Sequence, residues 1–150
     1  MRSTRTEVAM RRKIEVVIIA LIKKNNKYLL TKRYDPKNKA VHNTWQLPGG
    51  GLEFNETIIQ GLHRELFEET GLKVKILQLV PYIHEKIFFN SGWHGVAICF
   101  LCEPLNENVE IKLDDEATEY GWFTHKEILK LRLHHGTAAV VKNGMKLLRS

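Results

Sequence analysis

The sequence predicts an α/β fold with a mixed β-sheet between helices, on three observations. Strand-like segments lie on both sides of one central helix, a second helical stretch closes the chain, and the order does not alternate regularly enough for a doubly wound sheet. A length of 150 residues suits one domain spanning 1–150, and 43% hydrophobic content supplies its core.

The opening MRSTRTEVAMRRK carries Arg2, Arg5, Arg11, Arg12 and Lys13 without an apolar signal core, so residues 1–12 read as a basic leader. IEVVIIALI, KKNN and KYLLTKR follow as strand, polar turn and strand, a β-hairpin. The apolar run Val16 to Ile22 falls well short of the ~18–20 residues that cross a bilayer, so a cytoplasmic protein with no membrane partner is expected. The loop YDPKNKAVHNT leads to WQLP and to Gly49, Gly50 and Gly51, where the backbone can turn tightly and approach a ligand.

Thr57 and Gln60 form a capping-box pair that starts a helix near Ile58, and Gly71 stops it. KVKILQLV, YIHEKIFF and GVAICFLCE read as three strands, with NSGWHG turning between the second and third, and a short strand is expected around Tyr120 to Phe123. Thr124 and Glu127 repeat the capping-box spacing before EILKLRL, and Thr137 opens a last helix, AAVVKNGMKLL. Cys99 and Cys102 make a C-x-x-C. In a strand that spacing sends them to opposite faces, and no second Cys pair completes a zinc site, so they read as small core residues.

Charge singles out the central helix. Residues 50–72 hold five carboxylates against Arg64, a net of −4, inside a chain whose formal charge is +6. At about 100° per residue, Glu65, Glu68 and Glu69 share one helix face with Gly61, while Ile59, Leu62 and Leu66 form an apolar flank. Like charges at these spacings repel by roughly 0.2–0.5 kcal/mol per pair, and within the helix only Arg64 offsets them. A solvated face is the plain alternative; a hard divalent cation such as Mg²⁺ or Mn²⁺ would instead reverse the repulsion.

Starting at Gly50, the stretch reads G, five residues, Glu56, seven residues, then Arg64-Glu65-Leu66-Phe67-Glu68-Glu69-Thr70-Gly71-Leu72. It resembles the Nudix box, G-x5-E-x7-R-E-U-x-E-E-x-G-U with U aliphatic, and departs from it at no defined position. The resemblance is strongest over Trp45 to Leu72 and extends to EATEYGWF at 116–123. It implies the Nudix fold, a mixed β-sheet sandwiched between α-helices, and metal-dependent hydrolysis of a nucleoside diphosphate linked to another moiety, as in MutT-like pyrophosphatases.

The resemblance also implies roles. Glu68 and Glu69 are the core ligands of Mg²⁺ or Mn²⁺, the Gly49 carbonyl is a further ligand, and Glu65 is a ligand or the base that deprotonates water. Arg64 and Glu56 pair to orient the helix face. Glu116, in a later loop, is the candidate for another ligand or the base. Asn55 stands where relatives often carry glycine. At the substrate end, Arg33 is a candidate phosphate contact. Trp45, Phe88, Phe89 and Trp93 are candidates to stack on a base, with core or sheet packing as the alternative for each. His84, His94, His134 and His135 show no ligand spacing and stay unassigned.

The expected partner is a small nucleotide: a nucleoside triphosphate, an oxidised nucleotide, a nucleotide sugar or an ADP-ribose-type compound. Relatives specific for ADP-ribose often carry a proline beyond the box, near Phe88 here, whereas the nearest is Pro81, which lowers that choice. A nucleotide sensor without turnover and an RNA 5′-end pyrophosphohydrolase are the alternatives. The basic residues are dispersed and accompany no RNA-binding motif, which disfavours nucleic acid; a homodimer stays open.

Overall fold

The computed structural model describes residues 12–149, so the basic leader expected over 1–12 lies outside the described residues apart from Arg12, which is exposed. Strand β1 (Lys13–Lys24) turns through two residues into β2 (Lys27–Arg33), with Lys24 opposite Lys27. Asn25 takes the left-handed position of this turn at φ 57°, which asparagine tolerates. The turn is tighter than KKNN suggested, because Lys23 and Lys24 still pair.

The alternation of β1 builds two cores. Ile18, Ala20 and Ile22 face one side, where they pack with Leu62 and Leu66; Leu21 faces the other, with Val140, Val141 and Met145. Each fully buried aliphatic side chain contributes about 1.5–3 kcal/mol through its removal from water. The two faces are covered by different helices: α1 (Ile58–Thr70) on one, and the short α2 (His125–Ile128) with α3 (Thr137–Leu147) on the other. Cys99 and Cys102 obey the same alternation, one in each core, and burial pushes both thiols up, Cys102 to about 12.

The remaining strands are β3 (Trp45–Gln46), β4 (Gly49–Gly51), β5 (Val74–Phe88), β6 (Trp93–Pro104) and β7 (Ala117–Phe123). The sheet runs β3-β2-β1-β6-β5, with β4 paired to β1 and β7 to β2. The β1–β6 pair is parallel and the others are antiparallel, so the sheet is mixed as expected. Among the described residues, no helix is long and apolar enough to cross a membrane.

Four local expectations change. KVKILQLV and YIHEKIFF are one strand, β5, whose register slips between Leu79 and Ile83; Pro81, which lacks an N–H, is accommodated in that irregular stretch of an edge strand. The turn after β5 lies earlier than NSGWHG, because Trp93 already pairs with Phe88. In α1, Leu62 and Leu66 are buried but Ile59 is exposed, and Gly61 takes the inward place against Ile18. Finally, α2 stops after one turn although its capping box forms. Beyond it Leu131 and Leu133 pack into the core, and the chain runs beside β3: Trp45 N–H donates to Arg132 O at 2.9 Å and His134 N–H to Trp45 O at 2.8 Å.

Candidate active site

Helix α1 is fixed at both ends by the residues that announced it. Gln60 N–H donates to Thr57 Oγ1 and Thr57 N–H to Gln60 Oε1, and Gly71, at φ 75°, donates its N–H to Phe67 O. Asn55 adopts φ 69° in the preceding turn, so it fills the place of a glycine without leaving the left-handed conformation.

Strand β4 brings backbone to the acidic face. Ala20 N–H donates to Pro48 O and Leu52 N–H to Val16 O, so in this antiparallel ladder Ile18–Gly50 is the hydrogen-bonded pair and Gly49 points its N–H and C=O away from β1. That N–H donates to Glu69 Oε2 at 2.7 Å. Gly49 has φ 146°, and a Cβ there would lie 2.1 Å from Ile18 O, so only glycine brings the chain this close. At Gly50 a Cβ would lie 2.6 Å from the Glu65 carboxyl: that carboxyl occupies the space a side chain would take.

Arg64 ties the face together. Its Nε–H and Nη2–H donate to Glu56 Oε2 and Oε1 at 2.9 and 2.6 Å, a two-pronged pair, and Nη2 also donates to Gly51 O at 3.1 Å. Nη1 donates to Glu65 Oε1 at 3.0 Å and Glu68 Oε1 at 3.2 Å, and lies 3.6 Å from Glu53. The Arg64 hydrogen bonds, with one from Glu53 N–H, hold the Glu56 carboxyl down at about 2.

A cavity of about 830 Å³ opens beside this face. Glu65, Glu69, Glu116 and Gly49 to Gly51 line one part of it. Glu69 is only 6% exposed; burial pushes its carboxyl up to about 9 against the pull of the Gly49 N–H, with the charges of Glu65, Glu116 and Asp114 adding to the rise. Burial likewise raises Glu65, and burial with the Asp114 charge raises Glu116. Glu68 stands apart: half exposed, it sits on Arg64 outside the cavity wall.

Among the described residues, no three His, Cys, Asp or Glu side chains form a ready-made metal cage. The donor set nevertheless fits a hard divalent cation. Three carboxyls and a glycine backbone line one wall, and the burial and neighbouring negative charges that raise all three carboxyls are relieved by positive charge.

Of the substrate-end residues, Arg33, Phe88 and Trp93 line the cavity and Trp45 does not. Trp45 packs edge-on against Phe123, ring centroids 5.1 Å apart, as part of the core. The exposed Phe89 is not among the lining residues either. Arg33 reaches Gln46 at 3.5 Å and Asp35 at 3.3 Å, and its buried Nε has no partner among the described residues.

The structure adds His84, His134 and His135 to the wall, residues that sequence reasoning left unassigned. One signal was present: the period of two along β5 puts His84, Lys86 and Phe88 on one face, and all three line the cavity. Nothing in the sequence joined that face to His134 and His135.

Known proteins share this architecture. A Streptomyces ambofaciens protein described as MutT-like is 37% identical over 90 residues, 60% of this chain and 54% of that protein, so the chain spans about half of that relative's length. An ADP-ribose pyrophosphatase of Methanocaldococcus jannaschii is 32% identical over 120 residues, 80% of this chain and 68% of the other. Among solved structures, a MutT NUDIX hydrolase from Burkholderia pseudomallei superposes with a TM-score of 0.75 at 26% identity, covering 88% of this chain and 98% of that one. The profile of the NUDIX domain matches residues 11–143, which takes in the glycine turn, the acidic helix and all the strands around them: the chain belongs to the Nudix hydrolase family.

Proposed function

We propose that this chain hydrolyses a phosphoanhydride bond in a nucleoside diphosphate linked to another group, with a divalent cation held in the acidic part of the cavity. The observation that carries the reading is Glu69: a carboxyl 6% exposed, fixed by the Gly49 N–H and raised to about 9, in the same wall as Glu65 and Glu116. Burying carboxyls is costly, and at Glu69 the Gly49 N–H offsets only part of that cost, which a cation would relieve further.

Glu69, the outward Gly49 carbonyl and Glu116 would hold the cation, for which Mg²⁺ and Mn²⁺ suit these hard oxygens, and Glu68, now paired with Arg64, would be a further ligand. When bound, the cation supplies neutralisation of phosphate charge and a lowered pKa for water. Glu65 takes the proton from the attacking water; burial raises its carboxyl's affinity for that proton. Arg64 positions Glu65 while Glu56 fixes Arg64. Arg33, which lines the cavity and makes only long contacts from Nη1 and Nη2, would receive phosphate oxygen through those two nitrogens.

A panel of nucleoside triphosphates, nucleotide sugars and ADP-ribose, each incubated with Mg²⁺ and read by mass spectrometry, tests this. The relative from M. jannaschii makes ADP-ribose a necessary member despite the position of Pro81. Cleavage between phosphates, giving two phosphorylated products, is expected for at least one class. Saturable binding across the panel without cleavage would instead make the chain a nucleotide sensor.

A further inference from the structure

Successive side chains of a strand point to opposite faces, and on β5 the two faces are covered differently. On one, α3 packs against the strand, His84 Nε2 meets His135 Nδ1 at 3.0 Å, and Lys86 and Phe88 continue this imidazole wall of the cavity. On the other, Leu79, Ile83 and Ile87 are exposed, Ile83 by 64%. Helix α1 packs mainly against β1 and β4, over Ile18 and Ala20, which leaves this outer face of β5 to water.

The ladders extend the bare face across three strands. Ile14 of β1 lies in line with His94 of β6 and Ile87 of β5, and farther along Ile98 lies beside Ile83 and Phe100 beside Leu79. Ile14 is 72% exposed, and Ile98 and Phe100 are half-buried. Together these side chains form an apolar patch on the order of 500 Å², at the upper end of what a monomer carries. With its rim it approaches the ~800 Å² per partner of a stable protein contact.

Charge selects what covers it. The titratable groups in these cross-strand rows are Glu85 and His94, joined at 2.7 Å, and the rows hold no lysine or arginine. An anionic lipid surface or an acidic peptide would therefore meet the Glu85 carboxylate with nothing in the rows to attract it. A second copy of the chain needs no such attraction: patch meets patch across a two-fold axis, the same aliphatic rows serve both sides, and the contact closes. Copies with a formal charge of +6 repel through their basic surfaces, and this face carries none of those cations. Glu85 stands on the edge strand, at the rim, where it keeps its water when the aliphatic centre is covered.

We propose that the outer face of β1, β6 and β5 is the contact between two copies of this chain, a two-fold homodimer in which Ile14, Leu79, Ile83 and Ile87 of each copy pack on the same face of the other. The two sheets then lie about 10 Å apart, face to face. Both cavities stay open, because His84, Lys86 and Phe88 line them from the opposite face of β5. The contact involves neither the carboxyl wall nor a nucleotide, so it stands or falls apart from the hydrolase reading.

Sedimentation velocity on the full chain from about 1 to 200 µM tests it, since contacts of this size associate at micromolar concentration or below. The wild type should move from 17.4 kDa toward twice that mass. Ile83→Glu and Ile14→Glu place a charge in the contact from two different strands, at positions exposed enough for the fold to accept it. Each should melt cooperatively and dimerise at least about tenfold more weakly. Leu129→Glu, at an exposed position beside α2 on the other side of the sheet, should dimerise like the wild type. Flotation with neutral and anionic phospholipid vesicles is run on the same preparations. A wild type that stays monomeric throughout, a dimer that survives both isoleucine substitutions, a dimer lost equally in Leu129→Glu, or a monomer that floats with vesicles would each overturn the proposal.

Discussion

The two walls of one cavity are assembled in opposite ways. The acidic wall comes largely from one contiguous stretch, Gly49 to Glu69, where a helix period and a glycine turn set the carboxyls side by side. The imidazole wall joins residues 51 apart in the chain, brought together only because β5 and the segment before α3 pack on the same face of the sheet. The first is held by charged hydrogen bonds through Arg64; the second is kept uncharged by burial and nearby cations. A short-range pattern can thus specify a reacting centre while the groups facing it depend on tertiary packing.

The comparison breaks first at Glu65. Glu65→Gln removes the proposed base without touching the buried Leu62 and Leu66 and relieves repulsion among the carboxylates, so turnover should fall by about 10²-fold or more while the melting temperature holds. Turnover within a few-fold of wild type would move the base role to Glu116. Next comes Arg64→Ala, which frees Glu56, Glu65 and Glu68 together; a loss of roughly 10–100-fold in activity is expected, with weaker metal binding. Unchanged kinetics in that variant would reduce Arg64 to a structural clamp.

Gly50→Ala sharpens the contrast between position and fold. Its Cβ meets the movable end of Glu65 rather than backbone, so the protein should stay folded and lose about tenfold in turnover. A melting temperature that collapses would show that the glycine serves the fold instead.

The smallest effect belongs to the imidazole wall and is read by pH. The folded pKa values of His134 and His135 lie below the ordinary 6.5, so the unfolded chain takes up protons that the folded one does not. Their contribution is complete above about pH 6.5 and is lost as pH falls toward 4 and 3. Relative to wild type, His134→Phe should therefore lose a few degrees less in melting temperature between pH 7 and pH 4.5. Parallel curves for the two proteins would mean that the ring is solvated.

The walls also divide what was legible in the sequence. The capping box at Thr57, the stop at Gly71 and the opposite facing of Cys99 and Cys102 all act within a few residues, and all were readable. The inward turn of Glu69 was less so, because the helix period places it beside Glu68 while only the approach of Gly49 decides which of the two is buried. Ile59 was misplaced for the same reason, since the approach of Gly61 to Ile18 lies outside any local pattern; for Trp45 the packing alternative holds, against Phe123. The continuity of β5 past Pro81 depended on an irregular register with β6 that no single strand displays.

The central claim is that the acidic wall is a cation site organised around Glu69. Melting metal-free wild-type protein and Glu69→Gln with and without Mg²⁺ or Mn²⁺ tests it most directly, because the substitution keeps an acceptor for the Gly49 N–H and removes only the ionisable oxygen. The wild type should gain several degrees on adding metal and Glu69→Gln markedly less. An equal gain in both proteins, or none in the wild type, would contradict the claim.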